Sequence, residues 1–208
     1  MAGSATCDGT TPNTMIVFHD YPTAPLIFEV RGLPAGADSK EMDKYREASI
    51  GVVVDCEGGS MVIPGYTGVK ILDKNGVEIK KFSGASSHFA NFIDAVRSRK
   101  PADLHAEILE GHLSSALCHT GNISYRLGKT QSPDEMRETV KGNKDLAEAL
   151  GRMDEHLGAN NVDLKKTPAT LGAALKMDPQ TERFVGNSQA DQLLTRDYRK
   201  PFVVPAKV

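Results

Sequence analysis

Cysteine is scarce in this 208-residue sequence, and the three present, Cys7, Cys56 and Cys118, stand far apart. No CxxC pair and no even set exists, so neither a disulfide framework nor a structural zinc site is encoded, and the three read as free thiols. Charge of one sign is missing too. Twenty-five Lys and Arg against 27 Asp and Glu leave a formal net charge of −2, and the only basic patch is the short run Arg97 to Lys100. That balance excludes the electrostatic footprint of a nucleic-acid binder. No apolar run approaches the roughly 18 residues needed to span a bilayer, and MAGSATCDGTTPNT carries neither the charged region nor the apolar region of a signal peptide. A soluble chain without a membrane partner is therefore expected, with its compartment, cytoplasmic or periplasmic, left open. Glycine-rich phosphate loops are also lacking. There is no GxGxxG after a strand, no GxxxxGK[ST], no GxSxG elbow and no HExxH, so nothing here predicts a bound dinucleotide, a nucleoside triphosphate, a serine nucleophile or a zinc-hydrolase helix.

What is present divides at Ser86. From Thr14 to Phe82 the runs MIVFHDY, PLIFEVRGL, SIGVVVDC, SMVIPGY, GVKILD and VEIKKF are short and rich in Val, Ile and Phe, which predicts strands. Gly58 with Gly59 and Asn75 with Gly76 are hairpin joints that make their neighbours antiparallel. The polar stretch Ala35 to Glu47 is too charged for a core strand and reads as an excursion loop or a short helix. After Ser86 the period lengthens. Phe89, Phe92, Ile93 and Val96 fall at i, i+3, i+4 and i+7, a helical stripe with Ser86 or Ser87 as N-cap and Pro101 beyond its end. A second helix follows through Leu109, Leu113, Leu117, Ile123 and Leu127, with Gly128 at C′. SPDEM at Ser132 has the form of a capping box with proline at the first position, NKDLAEALGRMDEHL is amphipathic, and a short helix is expected near Gln189 to Thr195. Strands followed by helices predict an α+β fold, a largely antiparallel open sheet with helices packed on one face. The uncovered face then predicts a homodimer through the open sheet.

The second helix raises the functional question, because GHLSSALCHTGNISYRLG places polar groups where a core helix would carry leucines. His105, His112 and His119 recur every seven residues, about 10 Å apart along a helix axis, too far to share one metal. No metal site is expected from them. His112, His119, Asn122 and Tyr125 read either as a paired polar seam or as the wall of a cleft for a hydroxyl-rich ligand, and His88 sits beside the first helix's N-terminus.

Three ordered segments carry a resemblance: TPNTMIVFHDYPTAPLIFEVRGLP, HFANFIDAVRSRKPADLHAEILEGHLSSALCHTGNISYRLG and ERFVGNSQADQLLTRDYRKPFVVP. From about Thr11 to Val204 the chain resembles the C-terminal part of the Gfo/Idh/MocA family of oxidoreductases (glucose-fructose oxidoreductase, inositol dehydrogenase and rhizopine catabolism proteins), in its planctomycete-like branch. The resemblance implies a parent with an N-terminal Rossmann domain for NAD or NADP, and a C-terminal domain that shapes a sugar or polyol site and builds the oligomer. Residues 1–13 would be a flexible N-terminal segment and residues 14–208 that second domain. The family's EKP lysine motif and DxxxH motif have no counterpart here, so no catalytic residue, no cofactor-binding residue and no metal ligand carries over. The expectation is a domain that binds no cofactor and is inactive alone, with NAD or NADP implied for the parent. His88, His112, His119, Asn122 and Tyr125 are its substrate-site or interface candidates. A free-standing dimeric scaffold or carbohydrate-binding module is the alternative.

Overall fold

The computed structural model describes residues 11–84 and 86–205, so the segment expected at 1–13 falls mostly outside the described residues. Six strands precede the first helix: β1 (Thr14–His19), β2 (Leu26–Arg31), β3 (Val52–Cys56), β4 (Gly59–Ile63), β5 (Gly68–Asp73) and β6 (Glu78–Ser83). Then follow α1 (His88–Ser98), a 3-10 turn at Pro101–Asp103, and α2 (Ile108–Arg126). Next come β7 (Lys129–Gln131), α3 (Pro133–Val140), α4 (Lys144–Ala159), β8 (Ala169–Leu171), β9 (Met177–Asp178), β10 (Arg183–Phe184) and α5 (Ser188–Gln192). The class is α+β with open, antiparallel sheets, as the order of periodicities predicts. The strands divide among four sheets: the ribbon β1-β2, the meander β3-β4-β5-β6, and the small pairs β7-β8 and β9-β10.

Local chemistry accounts for the joints. Glu57 and Gly58 turn β3 into β4, and Gly59 opens β4 at φ +148°, with the Leu72 carbonyl only 2.0 Å from where a Cβ would stand. Between β5 and β6 the Asp73 carboxylate accepts from the backbone N–H groups of Asn75 and Val77, and Gly76 takes φ +77°. Ser87 caps α1 by accepting from Ala90 N. At α3 the box closes in both directions, Ser132 Oγ accepting from Glu135 N while Glu135 accepts from Ser132 N, with Pro133 at N1.

Two small cores hold the helical half together. In one, Ile123 of α2 packs with Phe184 and Ala190, flanked by Leu127, Leu175 and Leu193. In the other, Met136 and Val140 of α3 meet Leu150 of α4, flanked by Leu146, Met153 and Leu171. The β1-β2 ribbon lies between helices. Gly121 of α2 abuts Val17 on one face, a Cβ there falling 2.7 Å from Val17 Cγ2, while α4 reaches the other face, where Glu29 projects opposite Ile16.

Candidate functional site

The two faces of the meander differ in kind. Pairing of Val54 with Met61, Met61 with Ile71 and Ile71 with Lys80 fixes the register. One face therefore carries Val52, Val54, Met61, Ile63, Val69, Ile71 and Phe82, with Lys80 beside them. Its edges are open to solvent, Val52 being 52% exposed, Val54 38% and Phe82 49%, while Met61, Ile63, Val69 and Ile71 on the two inner strands are half-buried. The opposite face presents Val62, buried to 2% exposure, together with Asp55 and Lys70. A polar loop crosses it. Arg46 pairs with Asp55 at 2.5 Å and Glu47 with Lys70 at 2.5 Å, so residues 46 and 47 lie across the strands and cover Val62's side of the sheet.

That loop, between β2 and β3, is fixed at its other side by a charge cluster. Arg31 donates to Glu29 at 2.7 Å and to Asp43 at 2.8 Å, and its side chain is only 15% exposed. Arg152 of α4 donates through Nε to Glu29 at 3.1 Å and also through Nη2. Three guanidinium groups, those of Arg31, Arg46 and Arg152, lie 4.7 to 5.8 Å from the Tyr45 ring centroid. His156, the buried polar residue of α4, brings Nδ1 to 3.0 Å from Asp43 Oδ2. The approach is off the line a hydrogen bond requires, so both ring nitrogens lack a hydrogen-bond partner and the contact is coulombic. Asn160 and Ala37 add two bonds between the loop and the end of α4, Asn160 Nδ2 donating to Pro34 O and Ala37 N to Ala159 O.

The electrostatics follow from partial burial. Burial alone raises the Glu29 carboxyl, but hydrogen bonds from Arg152 and Arg31, then their charges, outweigh it and hold the group below the usual carboxylate range. Asp43 is likewise raised by burial but held low by Arg31, by the Lys44 backbone N–H and by the charge of His156. Because both folded-state values lie below the unfolded ones, their contribution is present above the unfolded pKa of about 4 and is lost as pH falls. The contribution of the two carboxylates to thermal stability should be full above about pH 5 and decline progressively below it; a melting temperature unchanged from pH 5 down to pH 3 would exclude the cluster as a stabilising element.

The five residues expected from sequence do not converge. His88 opens α1, is exposed, and rests its ring 4.1 Å from that of Phe89. His112 is half exposed and joins Glu182 at 2.7 Å, which ties α2 to the β9-β10 corner. His119 is exposed, so the expected role in a buried polar seam is not one it fills. Asn122 is half-buried with its Oδ1 enclosed and unbonded, and Tyr125 is half-buried. His88 stands on α1 and helical spacing spreads the other four along α2, and among the described residues no hydrogen bond joins one of the five to another.

Two open clefts, of about 450 and 310 Å3, lie instead between α3, α4 and the loop 161–168, with Pro133, Leu164 and Lys165 common to both. None of the five lines either cleft. Among the described residues no three His, Cys, Asp or Glu side chains converge as metal ligands would, and no helix is long and apolar enough to cross a membrane. Within the charge cluster the two guanidinium groups of Arg31 and Arg152 balance the carboxylates of Glu29 and Asp43, all four largely shielded, which suits a clamp. Sequence reading missed it, although Glu29 and Arg31 alternate in a strand and His156 falls among Ala149, Leu150, Met153 and Leu157 on the buried side of α4. Comparison with protein families, curated proteins and solved structures finds no match to this chain.

Proposed function

We propose that the chain is the substrate and oligomerisation domain of an NAD(P)-dependent sugar or polyol oxidoreductase, a homodimer through the open face of the meander, with no catalysis of its own. The observation that carries the reading is the contrast between the two faces. A polar loop, clamped by Arg31, Asp43, Glu29 and Arg152, covers one, and seven apolar side chains occupy the other. A contiguous apolar surface of this extent is the mark of an interface. The three-segment resemblance supplies the reaction class and the sugar or polyol; the open α+β sheet is compatible with it. NAD or NADP would be held by the nucleotide-binding part of the parent, since the chain has no glycine-rich phosphate loop.

Sedimentation at micromolar concentration tests the assembly: a dimer is expected, and a monomer would overturn it. Calorimetric titration with NAD and with NADP tests the division of labour. No heat of binding is expected from this chain; saturable binding to either would mean that it holds the cofactor by another surface.

A further inference from the structure

A second apolar surface has no cover among the described residues. α1 buries none of its residues, and Phe89, Phe92, Ile93 and Val96 are 75%, 56%, 45% and 42% exposed. The first turns of α2 continue it, with Ile108, Leu109 and Leu113 at 80%, 55% and 50%. An amphipathic helix of 11 residues is marginal in water unless its apolar stripe is packed. The unit nevertheless has a fixed shape. Asn91 donates to Asp103 O and accepts from His105 N, which ties the approach to α2 against the middle of α1.

We infer that this helical arm, residues 88–113, lies on the open apolar face of the meander of a second copy, reciprocally, so that the dimer is an exchange of arms and not a stacking of sheet on sheet. The inference rests on the dimer proposed above and specifies what covers its sheet face. A helix stripe packed on a sheet face is the layer that an α+β domain requires, and this chain has one of each, the stripe exposed and the face reached by solvent at Val52, Val54 and Phe82. Only residues 84–87 join them. Gly84 N donates to Thr67 O, which extends the β6 ladder one residue past Ser83. A two-fold axis then gives each arm the face its own chain leaves empty. The seven arm residues present on the order of 700 Å2 of surface, close to one partner's share of a standard interface.

Disulfide trapping tests it. With Cys7, Cys56 and Cys118 replaced by Ser, a tagged chain carrying Phe92→Cys is mixed with a differently tagged chain carrying Ile71→Cys, dissociated, reassembled and oxidised. A cross-link between the two tags is expected. Cross-links joining only Ile71→Cys chains to each other would overturn arm exchange in favour of stacked sheets while leaving the dimer intact. A bond formed within one chain carrying both substitutions would equally overturn it. A monomer in sedimentation would bring down the dimer itself. Phe92→Asp in the otherwise native chain, at a side chain solvent already reaches, is expected to shift the protein from dimer to monomer with unchanged circular dichroism; a dimer that survives it places the arm outside the interface.

Discussion

Arg31→Ala is expected to lower stability by about 3 kcal/mol, which for a chain of this length is a fall in melting temperature on the order of 6–12 °C. The guanidinium serves two carboxylates at once, Glu29 through Nε and Nη2 and Asp43 through Nη1. Its removal leaves Asp43 with the Lys44 backbone N–H and the contact to His156, and Glu29 with Arg152 alone. Both acids are largely shielded, at 24% and 17% exposure, so water compensates only in part. Arg31→Lys should restore a minority of the loss, because one ammonium cannot fork between two partners lying on different sides. The loop then loses its anchor. Hydrogen exchange at Lys44 to Ala48 should rise in the variant, and the decline of stability below pH 5 should flatten, since the Arg31 interaction that helps hold both Glu29 and Asp43 low is gone. A melting temperature within about 2 °C of the parent would show that the loop is held by something other than this cluster.

That cluster also marks where sequence stops being sufficient. Strand runs, hairpin joints and the Ser132 capping box are properties of neighbours in sequence, and each appears where the residues predict it, save that the first joint sits one residue earlier, at Glu57 and Gly58, with Gly59 already in β4. Glu29 and Arg152 are 123 positions apart. No period links them, so the clamp could be suspected only from polar residues recurring on one side of β2 and from a histidine on the buried side of α4. Division of the strands into separate sheets has the same origin: the 32–51 connection passes between the ribbon and the meander, and the ribbon's partner is a helix encoded far downstream. The α1 stripe is the converse case. Its spacing is fully legible, yet the chain buries none of it, because periodicity encodes an apolar face and says nothing of which molecule meets it. Of the five polar candidates, only His112 acquires a side-chain hydrogen bond among the described residues, and that partner, Glu182, lies in a corner no local pattern points to.

Gly128→Ala is expected to be as damaging as the loss of Arg31, at about 3 kcal/mol, for a reason opposite to the one its position suggests. A glycine one residue past the C-cap of α2 reads as a left-handed cap, where alanine would cost backbone strain. Gly128 is not among the residues with positive φ. Its requirement is space: a Cβ would stand 2.3 Å from the Leu171 carbonyl oxygen and 2.9 Å from Gly172 Cα. Both are backbone atoms of the segment that pairs with β7, where Lys129 faces Leu171, so no side chain can swing aside. Gly172 is bound by the same closeness, its own Cβ position lying 2.3 Å from Ser124 Oγ, whose hydroxyl donates to Ala173 O. Relief would require the β7-β8 pair to move from the end of α2, loosening Leu171 from the core of Met136 and Leu150. Gly151→Ala supplies the contrast. That residue is exposed in α4 with nothing within 4 Å of a Cβ, so alanine there should stabilise by about 0.5–1 kcal/mol through helix propensity. Opposite signs from the two substitutions, read by thermal melting, would establish that close approach of backbones, not conformational freedom, fixes glycine at the end of α2. A neutral Gly128→Ala would show that the turn into β7 has room to shift.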